Sequence, residues 1–130
     1  MKYTHLLPFM EEEELKKVAF EIINGELKGV RLERLFPFLG TGTFNELVDL
    51  FIEKKEISYL KHAIPFMSRE KVQAIYKAAE NGEIPGFDAS VCIPFLSAEK
   101  IKEIFRELIQ KASNEPSEDD EDDENDESED

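Results

Sequence analysis

A chain of 130 residues, 41% of them hydrophobic, has enough apolar side chains for one core of modest size. No stretch approaches the roughly 20 apolar residues that a membrane-spanning helix needs, and residues 1–5 lack a secretory signal pattern. A single cysteine excludes a framework of internal disulfides and is typical of the reducing cytoplasm, where we expect this protein to act.

A short phrase built on proline and phenylalanine recurs four times along the chain. It stands as LLPFM, LFPFL, AIPFM and CIPFL, with prolines at Pro8, Pro37, Pro65 and Pro94. The intervals between these prolines are 29, 28 and 29 residues. A fixed period of about 20 to 50 residues is the signature of stacked repeat proteins. We number the repeats one to four by these prolines, and we count positions within a repeat from its proline.

A short helix of about two turns is predicted to run into each proline. Apolar residues stand at positions −5, −2 and −1 of every repeat, as in Leu32, Leu35 and Phe36. Proline removes a backbone donor and crowds the preceding turn, so it should kink or end this helix and leave the next two residues pointing into the core. The short helices are predicted at residues 4–9, 30–38, 58–66 and 87–95.

A longer amphipathic helix is predicted after each proline. Apolar residues recur at positions +7, +10, +11 and +14, and usually at +15, which places them on one stripe of an α-helix. The second repeat shows the whole pattern, and the third breaks it only at Glu80. The longer helices are predicted at residues 11–24, 44–54, 69–81 and 98–112.

Position +1 is phenylalanine in all four repeats. Because this residue follows the proline directly, we predict that it occupies an equivalent buried position at each corner between the two helices. On that prediction, replacing one of these residues by alanine would destabilise the fold by about 3–5 kcal/mol, the usual range for a buried phenylalanine. The four corner residues are Phe9, Phe38, Phe66 and Phe95.

Capping residues mark the boundaries of the longer helices. Ser68 and its counterpart in the fourth repeat suit N-cap positions, and Thr41 or Thr43 could cap the second helix. The first helix begins with four glutamates, which suit the helix dipole but offer no clear cap. Gly25 and Gly82 fit helix C-termini, where φ is often positive.

Most of the acidity lies at the end of the sequence. Of the 30 Asp and Glu residues, 12 lie in residues 114–130, and the rest of the chain holds 18 acidic against 16 basic residues. A segment without aromatic or aliphatic side chains cannot offset its ordering entropy, so we predict a disordered acidic tail at 114–130 behind a helical domain at 1–113. Such a tail provides solubility, or it binds basic partners through its charge.

Patterns that indicate catalysis or ligand binding are scarce. His5 and His62 each stand three residues before a proline, without the companions that a nucleophilic or metal site requires. Cys92 stands at a core position and is predicted to be a small buried hydrophobe. Residues 40–43 lack the lysine and the preceding strand of a phosphate loop, and no basic stripe indicates nucleic acid. We therefore expect no enzyme, cofactor, metal or nucleic-acid partner.

The repeats resemble a known kind of helical repeat. The stretches that carry the resemblance are PFMEEEELKKVAFEIINGEL, PFMSREKVQAIYKAAENGEI and PFLSAEKIKEIFRELI. They are similar to short α-helical repeats of bacterial proteins, most of them uncharacterised, and in architecture to HEAT-like solenoids. A more distant similarity extends to helical repeats in the cytosolic domain of magnesium transporters and in flagellar rotor switch proteins. The resemblance covers residues 1–113; it implies a fold and no functional residue.

These patterns together predict an all-α protein, a short right-handed α-solenoid of four helix-hairpin repeats of about 29 residues. The expected function is that of a non-enzymatic scaffold or adaptor that presents a helical surface to a protein partner. The alternatives are a sequestering or chaperone-like protein acting through its acidic tail, and a regulatory subunit of an enzyme. Partner-surface candidates stand at non-repeating positions of the longer helices. They are Lys16, Lys17, Glu21, Asn45, Asp49, Gln73, Lys77, Lys102 and Arg106.

Overall fold

A computed structural model describes residues 1–114 of the chain, and every regular element in that part is helical. The α-helices are α1 (Glu12–Ile23), α2 (Thr41–Glu53), α3 (Ile57–Ala63), α4 (Arg69–Glu80) and α5 (Ala98–Ser113). The 3-10 helices are η1 (Tyr3–His5), η2 (Leu7–Phe9), η3 (Leu32–Arg34), η4 (Phe36–Phe38), η5 (Ile64–Phe66) and η6 (Ala89–Phe95). The predicted all-α class is confirmed. The predicted acidic tail lies, apart from its first residue, outside the described residues.

The chain divides into two compact units, Met1–Phe95 and Leu96–Asp130. Within the first unit, each long helix contacts the short helical segment of the next repeat. Thus α1 contacts η3, α2 contacts α3, and α4 contacts η6. The short segments of successive repeats also meet, since η3 contacts α3 and η5 contacts η6. The second unit contributes α5 to the described part of the chain.

The short helices are mostly 3-10 in geometry, and in the first two repeats they are divided into two turns just before the proline. In the first three repeats the proline stands at the first or second position of a separate 3-10 turn. Proline is tolerated there because the N–H that it lacks would have no partner inside the turn. The following residue still closes the turn, as where the N–H of Phe38 donates to the carbonyl of Leu35 at 2.9 Å.

The long helices begin at position +4 in all four repeats, but their N-terminal caps differ. The hydroxyl of Ser68 accepts a hydrogen bond from the N–H of Lys71 at 3.1 Å, as predicted, and the fourth repeat has the same cap. The prediction that Thr41 or Thr43 caps α2 is wrong, because both residues already lie inside the helix. The N-cap is Gly40, whose N–H donates to Oε1 of Glu12 from the preceding repeat at 2.8 Å.

The ends of α1, α2 and α4 share one backbone geometry. Gly25 and Gly82 follow the helix ends with φ near +80°, which confirms the predicted C-terminal glycines. The corresponding residue after α2 is Lys55, with φ of 60°. All three helices close with the same pair of reverse bonds, such as Glu56 N–H to the carbonyl of Phe51 at 2.8 Å. The second repeat therefore places a side chain in a conformation that favours glycine.

Replacing Lys55 by glycine should raise the free energy of unfolding by about 0.5–1 kcal/mol. The left-handed conformation costs a residue with a Cβ roughly 1–2 kcal/mol, and the greater flexibility of glycine in the unfolded chain offsets part of that gain. Urea unfolding measures the difference. The matched control is Lys54→Gly, one residue earlier at φ −88°, which should be neutral or destabilising. If Lys55→Gly were no more stable than Lys54→Gly, the inference that Lys55 is strained in the native protein would be contradicted.

The core of the first unit is formed by positions −5, −2 and −1 of the second and third repeats together with the stripes of α1, α2 and α4. Its centre is aromatic: the ring of Phe36 lies 5.5 Å from that of Phe44 and 6.1 Å from that of Phe51, centroid to centroid. The ring of Tyr59 stacks on that of Phe51 at 5.2 Å. Cys92 is fully buried, which confirms its predicted core position. The largest fully buried side chains are Phe51, Leu32, Leu35, Leu47, Leu60, Ile64, Val48, Val72 and Cys92.

The predicted burial of the four corner phenylalanines is wrong. Phe9, Phe38, Phe66 and Phe95 are between 37% and 82% exposed, whereas the residues at −2 and −1 carry the burial in the second and third repeats. Residues three apart eclipse one another in 3-10 geometry. Position +1 therefore follows position −2 one turn further along the axis, by about 6 Å, which takes the ring past the buried layer. The corners present phenylalanine at the surface.

Candidate protein-interaction surface

The most unusual exposed feature of the first unit is the set of proline–phenylalanine corners, which we call the corner surface. It consists of the four repeat prolines and the phenylalanines that follow them, and all eight residues are exposed. The short helices of repeats two, three and four contact one another in succession, so their corners are neighbours. The members of the corner surface are Pro8, Phe9, Pro37, Phe38, Pro65, Phe66, Pro94 and Phe95.

A groove of about 220 Å³ lies where the corners of repeats two and three meet. The ring of Phe66 stands 6.0 Å from that of Phe36, edge to face, and forms one wall. Thr41, Asn45 and Ser68 add polar groups to an otherwise apolar lining. Pockets that enclose drug-sized ligands typically have volumes of about 300–1,000 Å³, so this groove fits a single side chain better than a whole small molecule.

A second groove, of about 300 Å³, is lined mainly by the first repeat and also by Val30 and Leu35 of the second; we call it the first-repeat groove, and it is almost entirely apolar. Its only charged lining residue is Glu14. The first-repeat groove is lined by Tyr3, Leu6, Leu7, Met10, Glu14, Leu15, Val18, Val30 and Leu35. Neither groove brings together titratable groups that could act as an acid, a base or a nucleophile.

The predicted partner-surface candidates take several different environments. Lys16 forms an ion pair with Glu46 at 3.6 Å, and Asp49 forms one with Lys71 at 3.0 Å; each pair joins two successive repeats. Asn45 lines the groove between repeats two and three. Glu21 is half-buried, and the remaining candidates are exposed. Those exposed candidates are Lys17, Gln73 and Lys77 in the first unit and Lys102 and Arg106 on α5.

The side chains of both histidines are exposed. His62 Nδ1 lies 2.8 Å from the backbone carbonyl of Ser58, and no hydrogen bond of the His5 side chain is seen. Among residues 1–114, no three His, Cys, Asp or Glu side chains are grouped to hold a metal ion. In the same part of the chain, no helix has both the length and the apolar character that crossing a membrane requires.

The shifted pKa values belong to separate structural environments. Burial, reinforced by the negative charges of Glu33 and Glu56, raises the pKa of Tyr59. Hydrogen bonds from Ser90 hold the pKa of Asp88 below its ordinary value. Burial raises the pKa of Cys92 from 9.0 to about 11, so its thiol is protonated at neutral pH and is a poor nucleophile.

The sequence carries a signal that distinguishes the exposed corner phenylalanines from the buried residues beside them, although the apolar pattern alone predicts burial for both. Position −1, which is buried in the first three repeats, is Leu, Phe, Ile and Ile in turn, as packing alone would permit. Position +1 is phenylalanine every time and is exposed every time. The same side chain at four exposed positions is the signal that the sequence carries for this surface feature.

Comparison of the chain with protein-family models, curated proteins and solved structures finds no match. The resemblance to HEAT-like bacterial repeats therefore stays a prediction. The functional inference rests on the geometry of the corners, the grooves and the helix surfaces.

Proposed function

We propose that this protein is a non-enzymatic scaffold or adaptor of the bacterial cytoplasm that binds a protein partner along its corner surface. Its architecture in this proposal is a short α-solenoid of four HEAT-like repeats. Three regularities support that architecture: the common start of the long helices at +4, the shared C-terminal geometry of the first three, and the contact of each long helix of the first unit with the next short segment.

The observation that carries the function is the exposure of phenylalanine at all four corners. Large apolar side chains that recur on an exposed surface are typical of interaction sites, and aromatic residues are enriched among those that dominate binding energy. Proline beside each ring fixes the local backbone, so less conformational entropy is lost when the corner is covered. A partner with several apolar side chains could engage successive corners.

The groove between repeats two and three gives this surface a specific anchor point. A single apolar side chain of the partner fits into the groove, against the touching rings of Phe36 and Phe66. Asn45 and Ser68 at the margin can hydrogen-bond the partner's backbone. An apolar centre with polar margins is the usual composition of a protein–protein contact.

The proposal is tested with a double variant, Phe38→Ala and Phe66→Ala, that removes two exposed rings from neighbouring corners. The wild-type protein is used to capture partners from cells, and the affinity of a purified partner is then measured for both proteins. The double variant should bind at least about tenfold more weakly, the effect of losing one hot-spot residue. The matched control is Lys54→Ala with Lys55→Ala, away from the corners. Equal affinity for the corner variant and the control would overturn the proposal.

The alternative function is charge-based sequestration through residues 114–130, which hold 12 acidic residues and no basic ones. That segment lies largely outside the described residues, so this alternative function is supported by the distribution of charge in the sequence alone. Removing every residue after Ser113 separates the two functions. A corner-surface adaptor keeps its partner after truncation and at high salt. A tail-driven binder loses its partner on truncation and weakens steeply as salt screens the charges.

A further inference from the structure

The apolar stripe of α5 is exposed where the stripes of the earlier long helices are covered. At position +11, Ala19 and Val48 are fully buried, whereas Phe105 is more than half exposed. At +14, Phe51 is fully buried, whereas Leu108 is more than half exposed. The exposed residues of the α5 stripe are Ile101, Phe105, Leu108 and Ile109.

In the first repeat, apolar residues of the short helices are exposed where their counterparts in later repeats are buried. At position −2, Leu6 is 48% exposed, whereas its counterparts Leu35 and Ala63 are buried. At position −5, Tyr3 is exposed, whereas Leu32 is buried. These two exposed residues line the first-repeat groove.

The two exposed surfaces correspond to the two sides of one kind of junction. Inside the first unit, the long helix of each repeat packs on the short helical segment of the next, as α2 does on α3. The α5 stripe corresponds to the long-helix side of such a junction. The first-repeat groove corresponds to the short-helix side. Both sides are therefore present on every copy of the chain.

Charged residues at equivalent repeat positions also match between the internal junctions and the two exposed surfaces. Between repeats two and three, Asp49 at +12 pairs with Lys71 at +6, at 3.0 Å. The residues at these positions on α5 and in the first repeat are Arg106 and Glu14, again of opposite sign. A second internal pair, Lys16 at +8 with Glu46 at +9, has no such match.

The counterparts of that second pair are two lysines, Lys102 on α5 and Lys17 in the first repeat. Both are exposed, so their repulsion is weak in water. The repulsion nevertheless has a measurable consequence. Reversing the charge of either lysine should strengthen a contact between the α5 stripe and the first-repeat groove.

The acidic segment of the chain itself is a poor occupant for the α5 stripe. Residues 115–130 contain no aliphatic or aromatic side chain and only Pro116 as an apolar residue, so they cannot bury Phe105 or Leu108. A second copy supplies an apolar groove with an acidic lining residue, which suits a stripe bordered by basic ones. On a helical projection the border is Lys100 and Lys111 on one side and Lys102 and Arg106 on the other.

We propose that copies of this chain associate head to tail, with the α5 stripe of one copy seated in the first-repeat groove of the next. The inference rests on the repeat architecture proposed above, and it is independent of the corner surface. A contact between two different surfaces of one chain is heterologous, so it leaves a free stripe and a free groove at the ends of every open assembly. The protein would therefore form open series of copies rather than stop at a symmetric dimer.

Sedimentation velocity of the purified full-length protein over a concentration series tests this. The wild type should form species larger than a dimer as concentration rises. Leu108→Asp on the stripe and Leu6→Asp in the groove should each weaken association by roughly ten- to a hundredfold, because each places a charge in the apolar contact. An equimolar mixture of the two variants should form a one-to-one complex and grow no further, because each copy keeps the surface that the other has lost.

A charge exchange tests the register without touching an apolar residue. Arg106→Glu and Glu14→Arg should each weaken association about two- to fivefold, and mixing the two variants should recover that loss, because both kinds of mixed junction again pair opposite charges. Lys17→Glu should tighten association by a similar factor. Circular dichroism confirms that each variant is folded, which is expected because all these positions are exposed.

Three results would overturn the inference. The first is a wild type that remains monomeric up to about 1 mM, the weakest affinity worth assigning to a specific contact. The second is a Leu6→Asp variant that dimerises as well as the wild type, which would mean that α5 pairs with itself. The third is a mixture of the two aspartate variants that forms no complex although both are folded. None of these bears on capture of a partner by the corner surface, which is assayed separately.

Discussion

Replacing Phe51 by alanine should lower the free energy of unfolding by about 3–5 kcal/mol, the largest effect expected from any single truncation in this chain. Its side chain is fully buried and stands between the rings of Phe36 and Tyr59. Truncation removes its burial and both ring contacts, and it leaves a cavity that rigid neighbours cannot fill. Urea unfolding followed by circular dichroism gives the value.

The matched control is Phe9→Ala, the same chemical change at a corner that is 82% exposed. It should cost less than about 1 kcal/mol, since exposed substitutions rarely have larger effects. Phe66→Ala should lie between the two, because its ring is half-exposed but touches Phe36. Similar losses for Phe51→Ala and Phe9→Ala would show that the corners are buried after all, as their position first suggested.

The long helices could be predicted from the sequence because their signals are local and redundant. An apolar stripe at helical spacing, a serine at the N-cap and a glycine after the last turn all indicate the same element, as in the helix that follows Ser68 and ends before Gly82. The second long helix was predicted to start too late. Its N-cap, Gly40, is held by the carboxylate of Glu12, which is 28 residues away in sequence and which no local pattern could connect to Gly40.

The corners could not be predicted because apolar character alone does not fix the direction of a side chain. The sequence pattern predicts that Phe38 and Leu39, the two residues after Pro37, point into the core. The 3-10 geometry of the last turn instead places Phe36 in the core and Phe38 at the surface. The backbone geometry of this last turn decides which ring packs in the core and which is exposed. The candidate surface therefore emerged only once the backbone geometry was known.

Apolar character also fails to predict the exposure of Leu6 and Leu108. Leu6 and Leu108 obey the repeat pattern as well as Leu35 and Phe51 do, so the sequence pattern predicts burial for all four. Burial also requires a neighbouring helix on the correct side, which an apolar pattern in the sequence does not specify. Exposure at these positions is thus a property of the arrangement rather than of the residues.

The stability of the protein should fall by about 2 kcal/mol between pH 8 and pH 11 through Cys92 alone. Burial raises the pKa of this thiol from 9.0 to about 11, because the thiolate cannot be solvated inside the fold. A group whose pKa is raised on folding stabilises the native state fully below its unfolded pKa. That contribution is lost as the pH rises through 9 towards 11, at up to about 1.4 kcal/mol for each pH unit.

The measurement is the free energy of urea unfolding as a function of pH for the wild type and for Cys92→Ala under reducing conditions. Other groups, including Tyr59, titrate in the same range, so the difference between the two proteins isolates the thiol. The gap between the two curves should be constant up to about pH 8 and should then change by about 2 kcal/mol in favour of the variant. Parallel curves up to pH 11 would mean that the thiolate is solvated in the native state and that Cys92 lies at an accessible surface.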